Sequence, residues 1–158
     1  MYQIDSLKEM KEFAFWMADK LMKAPKREKA LALALSGELG SGKTTFTQYF
    51  LRALGVKGKI TSPSFTLMKN YELPVRRSLG AGGRIKNYEK AYHVDCYRIK
   101  KHGDFKVFNL KDIFNVSQNV VLIEWPERIN KVLPKNTIWL KFEHGEKSNQ
   151  RIIKISST

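Results

Sequence analysis

The sequence predicts an α/β fold in three layers, a mostly parallel sheet with helices on both faces and an antiparallel extension at its C-terminal end. Three observations predict it. The apolar run from Ala30 to Leu35 passes directly into a glycine-rich turn and then into a helical pattern. Short apolar segments recur along the chain, spaced as strands separated by helices or loops. Near the end, two such segments flank the polar stretch His144 to Asn149, as in an antiparallel hairpin with a long turn. With 158 residues and 42% hydrophobic content, the chain reads as one domain over residues 1–158 with a packed core.

Taken in order, Asp5-Ser6-Leu7-Lys8-Glu9 opens a helix, with Ser6 and Glu9 spaced as a capping box. Leu7, Met10, Phe13, Met17 and Leu21 follow at helical spacing and should face the core. Pro25 and the charged cluster Lys26 to Lys29 end the helix. Ala30 to Leu35 suits a buried parallel strand, since both of its faces are apolar. Thr44 to Leu54 forms a helix stopped by Gly55 at its C-terminal end. Further strands are expected at Phe65–Tyr71, Tyr92–Tyr97, Val120–Glu124, Ile138–Phe142 and Arg151–Ile155. Between them, residues 74–90 hold Arg76, Arg77, Arg84, Lys86 and three glycines, and read as a basic surface loop.

Composition narrows the function. The longest apolar stretches are far too short to cross a bilayer, and the first residues lack the basic and apolar regions of a signal peptide. The single cysteine, Cys96, forms no internal disulfide and suits a reducing, cytoplasmic setting. His93, His102 and His144 show no zinc-ligand spacing with it. The net charge of +14 favours a polyanionic partner, nucleic acid above all. A lysine-rich surface with no such partner is the competing reading.

Gly37-Glu38-Leu39-Gly40-Ser41-Gly42-Lys43-Thr44 fits G-x-x-x-x-G-K-[ST] at every fixed position. Its glycines let backbone N–H groups wrap around phosphate oxygens without side-chain obstruction. Lys43 offers an ammonium to the β and γ phosphates, Thr44 a hydroxyl to magnesium, and the following helix its positive end. The strand–loop–helix context is the arrangement this chemistry needs. The fold expected is therefore P-loop NTPase-like, with ATP and Mg2+ as ligands. The chain contains no Asn-Lys-x-Asp sequence, so guanine recognition has no support.

Such a loop needs a carboxylate at the end of a neighbouring strand. Val120-Val121-Leu122-Ile123-Glu124 ends an apolar run on an acid, and Glu124 is the first candidate. Asp95 is the second, with alternation placing His93, Asp95 and Tyr97 on one strand face. Asp95 either orients the attacking water, binds the metal, or pairs with neighbouring charges. Thr61-Ser62-Pro63-Ser64-Phe65 supplies three hydroxyls that suit a switch responding to the γ phosphate, or an ordinary hydroxyl-rich strand entry. Trp125-Pro126 is either a further switch element or a packed aromatic with a turn-setting proline.

Together these segments resemble the bacterial TsaE (YjeE) family, the ATPase component of tRNA threonylcarbamoyladenosine (t6A) biosynthesis. Residues 37–46, including Thr45 and Phe46, look like that family's P-loop, and Thr61-Ser62-Pro63-Ser64-Phe65-Thr66-Leu67 is similar to its switch segment. His93-Val94-Asp95-Cys96-Tyr97-Arg98 matches its His-x-Asp-x-Tyr-Arg motif, and Glu124-Trp125-Pro126 its Glu-Trp-Pro motif. Ser64 stands where threonine is common in the family, and Cys96 where an aliphatic residue is usual. The resemblance implies that Thr44 and Glu124 ligate magnesium while Asp95 and the switch segment support hydrolysis. It also implies a weak ATPase acting on the TsaD and TsaB proteins without performing the threonylcarbamoyl transfer itself. Direct contact with tRNA through the basic surface is compatible with this reading; membrane and DNA are not expected partners. Two other classes share the same loop: a small-molecule or nucleotide kinase, with Arg76–Arg84 as its lid, and a nucleotide-regulated RNA-binding module.

Overall fold

The computed structural model describes residues 1–25, 27–63, 66–74, 88–99 and 109–157. The expected switch residue Ser64, its neighbour Phe65 and most of the 74–90 loop, including Arg76, Arg77, Arg84 and Lys86, lie outside the described residues.

The order is β1 (Tyr2–Ile4), α1 (Leu7–Lys23), β2 (Leu31–Gly37), α2 (Lys43–Ala53), β3 (Met68–Glu72), β4 (Lys90–Asp95), α3 (Leu110–Asn115), β5 (Asn119–Glu124), β6 (Ile138–His144) and β7 (Arg151–Ser157). Two 3-10 turns, Pro126–Arg128 and Asn130–Val132, join β5 to β6. One seven-stranded sheet runs β1-β7-β6-β2-β5-β4-β3. Its centre, β6-β2-β5-β4, is parallel. The expected antiparallel hairpin is β6–β7. Antiparallel strands also close both edges: β1 pairs with β7 and β3 with β4. The fold is a P-loop NTPase-like three-layer fold, as expected.

Side-chain size on β2 sets the layers. Leu31, Leu33 and Leu35 point into one core with Val120, Leu122, Leu140 and Phe142. That core is covered by α1 through Met10, Phe13 and Met17, and by α2 through Phe46, Phe50 and Leu51. On the other face Ala30 and Ala32 leave room for a thin layer, α3 with Leu110 and Phe114, and the 3-10 segment with Ile129.

The helix boundaries follow local chemistry. Glu9 N–H donates to Ser6 Oγ at 3.2 Å, and Glu9 Oε2 accepts from Asp5 N–H at 2.8 Å. Leu7, expected on the packed face, is 67% exposed; the buried stripe of α1 starts one turn later, at Met10. Gly55, at φ +95°, ends α2. Its N–H donates to Arg52 O, and Val56 N–H to Leu51 O.

Candidate functional site

Every expected site residue that the structure describes lies at or near the C-terminal edge of the parallel strands, where the chain leaves β2 toward β4 on one side and later returns as β6 on the other. The loop between β2 and α2 folds tightly at its two ends. Gly37 has φ +133°, and a Cβ there would run into the carbonyl oxygen of Phe142 on β6. Gly42, at φ +101°, is the N-terminal cap of α2 in the left-handed region that favours glycine. Between them Ser41 is fully buried and its N–H donates to Glu38 O at 3.3 Å, while Leu39 is 74% exposed at the tip.

Lys43 is buried on the first turn of α2. Its ammonium donates to the carbonyls of Gly37 and Glu38, each at 2.7 Å, and lies 4.2 Å from the centre of the Trp125 ring. Burial pushes its pKa below the ordinary lysine value, and the charges of Glu124, Glu127 and Asp95 oppose that shift. The ammonium thus sits inside the loop, short of water, beside three carboxylates.

Strand register assembles the acidic part. Leu35, Glu124 and Asp95 stand side by side on β2, β5 and β4. Thr44 Oγ1 donates to Glu124 Oε2 at 2.8 Å, and His93 Nε2 lies 2.7 Å from Glu124 Oε1. Glu124 is 2% exposed and His93 fully buried, so one carboxylate is held at both oxygens. Asp95 accepts from the Tyr97 N–H at 3.0 Å and from Ser62 Oγ at 3.4 Å. Of the expected switch residues, Ser62 therefore adjoins the site through Asp95, and the Lys69 ammonium ties Thr61 to it by donating to Thr61 Oγ1 and to the Ser62 carbonyl.

Trp125 follows Glu124 at φ +58°, a costly conformation for a bulky residue. That turn lays its ring over Lys43 on one side and against Tyr97, at 5.1 Å between ring centres, on the other. Tyr97 departs from expectation: β4 ends at Asp95, so Tyr97 lies beyond the strand, 49% exposed at the mouth. β3 also begins at Met68 rather than Phe65. A cleft of about 220 Å3 results, lined by Gly40, Gly42, Lys43, Thr44, Thr45 and Asp95 with Glu124, Tyr97, Trp125 and Leu39.

Two contacts escaped the sequence reading. His93 serves Glu124 on the neighbouring strand rather than only flanking Asp95, and Lys69 ties down the hydroxyl segment. A histidine between Tyr92 and Val94, on a strand beside the apolar run that ends at Glu124, was the available signal for the first; nothing local marked the second.

The family model "Threonylcarbamoyl adenosine biosynthesis protein TsaE" matches residues 4–153, which takes in the loop and all the residues of this cleft. The chain belongs to the TsaE family. Among its relatives is the tRNA threonylcarbamoyladenosine biosynthesis protein TsaE of Haemophilus influenzae, 33% identical over 74% of this chain and 65% of that protein. The Bacillus subtilis protein of the same description is 31% identical over 76% of this chain and 66% of its own length. The Treponema pallidum protein is 30% identical over 79% and 82%. The chain thus spans just under two thirds of the first two relatives' length. The crystal structure of YdiB from Bacillus subtilis superposes with a TM-score of 0.69 at 26% identity, covering 99% of this chain and 83% of that one.

The residues fit a shared magnesium site rather than an all-protein cage. Among the described residues no three His, Cys, Asp or Glu side chains are grouped to hold a metal. Magnesium bound with phosphates keeps several waters and takes only one or two carboxylates, a role that Glu124, with the hydroxyl of Thr44 beside it, could fill. No helix among the described residues is long and apolar enough to cross a membrane.

Proposed function

We propose that this TsaE-family chain binds ATP with Mg2+ at the cleft, hydrolyses it slowly, and thereby serves t6A modification of tRNA in the cytoplasm, acting on the TsaD–TsaB complex. The observation that carries the reading is the convergence of the Lys43 ammonium, the Thr44–Glu124 pair and Asp95 on one cleft behind a glycine loop. The relatives' names supply the pathway. Backbone N–H groups of residues 38–44, with the N-terminal end of α2, would cradle the phosphates, and Lys43 would turn its ammonium from the Gly37 and Glu38 carbonyls toward them. Thr44 and Glu124 would hold the magnesium, which when bound draws charge from the β and γ phosphates. Asp95, outside the Thr44–Glu124 pair and bonded to Ser62, would orient the attacking water and pass the loss of the γ phosphate to the hydroxyl segment.

The test is titration calorimetry with ATP and magnesium on wild type and Lys43→Ala. A charge-assisted contact to phosphate contributes about 1.5–3 kcal/mol, so affinity should fall by about tenfold or more with the fold intact. Equal affinity for the two proteins rules out this cleft as the nucleotide site.

A further inference from the structure

At the opposite end of the sheet lies a second, larger cleft of about 670 Å3. Its walls come from the segments that enter the parallel strands: Arg27 and Lys29 before β2, Lys111 on α3, and Lys135 before β6. Phe114 and Leu133 form part of its apolar lining. Among the described residues, four cations thus line this cleft with one acid, Glu28. Among the described residues, none of the four has an ion-pair partner, whereas Lys141 and Lys154 on β6 and β7 share Glu143. The Arg27 guanidinium donates to the Asn136 carbonyl at 3.4 Å, which fixes one charge on the wall. Apolar lining beneath charges of one sign focuses their field outward and concentrates a polyanion there.

We propose that this cleft is a docking groove for the phosphodiester backbone of an RNA, and that the tRNA of the proposed function is its occupant; the inference rests on that reading. The cations include three lysines, point charges with no bidentate geometry, so they suit a run of regularly spaced phosphates better than one phosphate group in a fixed pose. Among the described lining residues the one aromatic ring, Phe114, is buried and offers no surface on which bases would stack, so the groove reads backbone and not sequence. Being at the far end of the strands, it leaves the nucleotide cleft and the Tyr97–Trp125 mouth open to a protein partner while RNA is held.

The experiment measures fluorescence anisotropy of a labelled tRNA transcript with the full chain at 50–300 mM KCl. Replacing Arg27, Lys29, Lys111 and Lys135 together by Gln removes four phosphate contacts. The slope of log affinity against log salt should flatten by about 3, and affinity at the lowest salt should fall at least tenfold. Glu28→Lys, which disturbs no packing, should steepen the slope by about one and tighten binding. ATP affinity and basal phosphate release of these variants should match wild type, and Lys43→Ala should bind tRNA normally. An unchanged slope in both the fourfold variant and Glu28→Lys overturns the groove. Displacement of tRNA by polyglutamate more readily than by polyuridylate of equal charge overturns RNA as its occupant in favour of an acidic protein. Loss of ATP binding in wild type would instead sink the proposed function and leave the salt slopes as they are.

Discussion

At the level of single residues, the site depends on one carboxylate held by two neighbours. Glu124 is engaged by Thr44 at one oxygen and His93 at the other, while Asp95 is engaged by Tyr97 and Ser62. The two acids are adjacent in register yet differently tied, and this predicts separable losses. Glu124→Ala should weaken the magnesium dependence of ATP binding, because Thr44 alone offers only a neutral oxygen to the cation. Asp95→Ala should leave ATP affinity within a few-fold of wild type and suppress turnover by about a hundredfold, the usual contribution of a positioned base. Calorimetry with and without magnesium, beside single-turnover phosphate release, reads both. The reverse pattern would exchange the two roles. Cys96, next to Asp95, takes no part in this chemistry: burial, with help from Asp95, Glu127 and Glu124, raises its thiol to about 12, so it stays protonated and inert.

At the level of elements, β2, the loop and α2 were legible because each is specified by adjacent residues: an apolar run, three glycines, a helical stripe and Gly55. The parts that were not legible are those fixed by distant partners. β1 is three residues long and exists as a strand through its pairing with β7, and α3 has only six residues, Leu110 and Phe114 being its buried anchors. The site divides the same way. Lys43 and Thr44 could be read locally, whereas the adjacency of Asp95 and Glu124 is a matter of β4–β5 register, and His93 shows its role only across that ladder. Register also sets a liability at the β6–β7 hairpin, where Lys141 faces Lys154 directly. Glu143 offsets it by bonding both ammonium groups, at 2.8 and 2.7 Å, and these bonds lower its carboxyl from the ordinary 4.5 to about 2. A depressed folded-state pKa means stability that is present above pH 4.5 and lost as pH falls toward 2. Thermal denaturation of wild type and Glu143→Gln should therefore differ at neutral pH and low salt and converge near pH 2. A gap that persists at pH 2 would assign the effect to packing instead.

Across the whole molecule, the described residues of the candidate site converge on one cleft at one end of the sheet. The mouth of the glycine-loop cleft carries exposed apolar side chains, Leu39 at the loop tip and Tyr97 against Trp125. Trp125 touches both this surface and the Lys43 ammonium, so a change at phosphates bound as proposed would have a direct route to the outside. In the proposed function, hydrolysis would do its work by altering contacts with another protein. Alone, the protein should release phosphate slowly; with the purified TsaD–TsaB complex at saturating ATP, release should rise at least tenfold. Trp125→Ala should reduce that acceleration severalfold more than it reduces ATP affinity, since it removes the link and leaves the glycine loop, Thr44 and Glu124 intact. Modified tRNA counted over many turnovers should follow the same order, wild type above Trp125→Ala above a reaction without the protein. If the complex leaves phosphate release unchanged and repeated modification proceeds equally well without this chain, the partnership is wrong, and a small-molecule acceptor at the same loop becomes the reading to test.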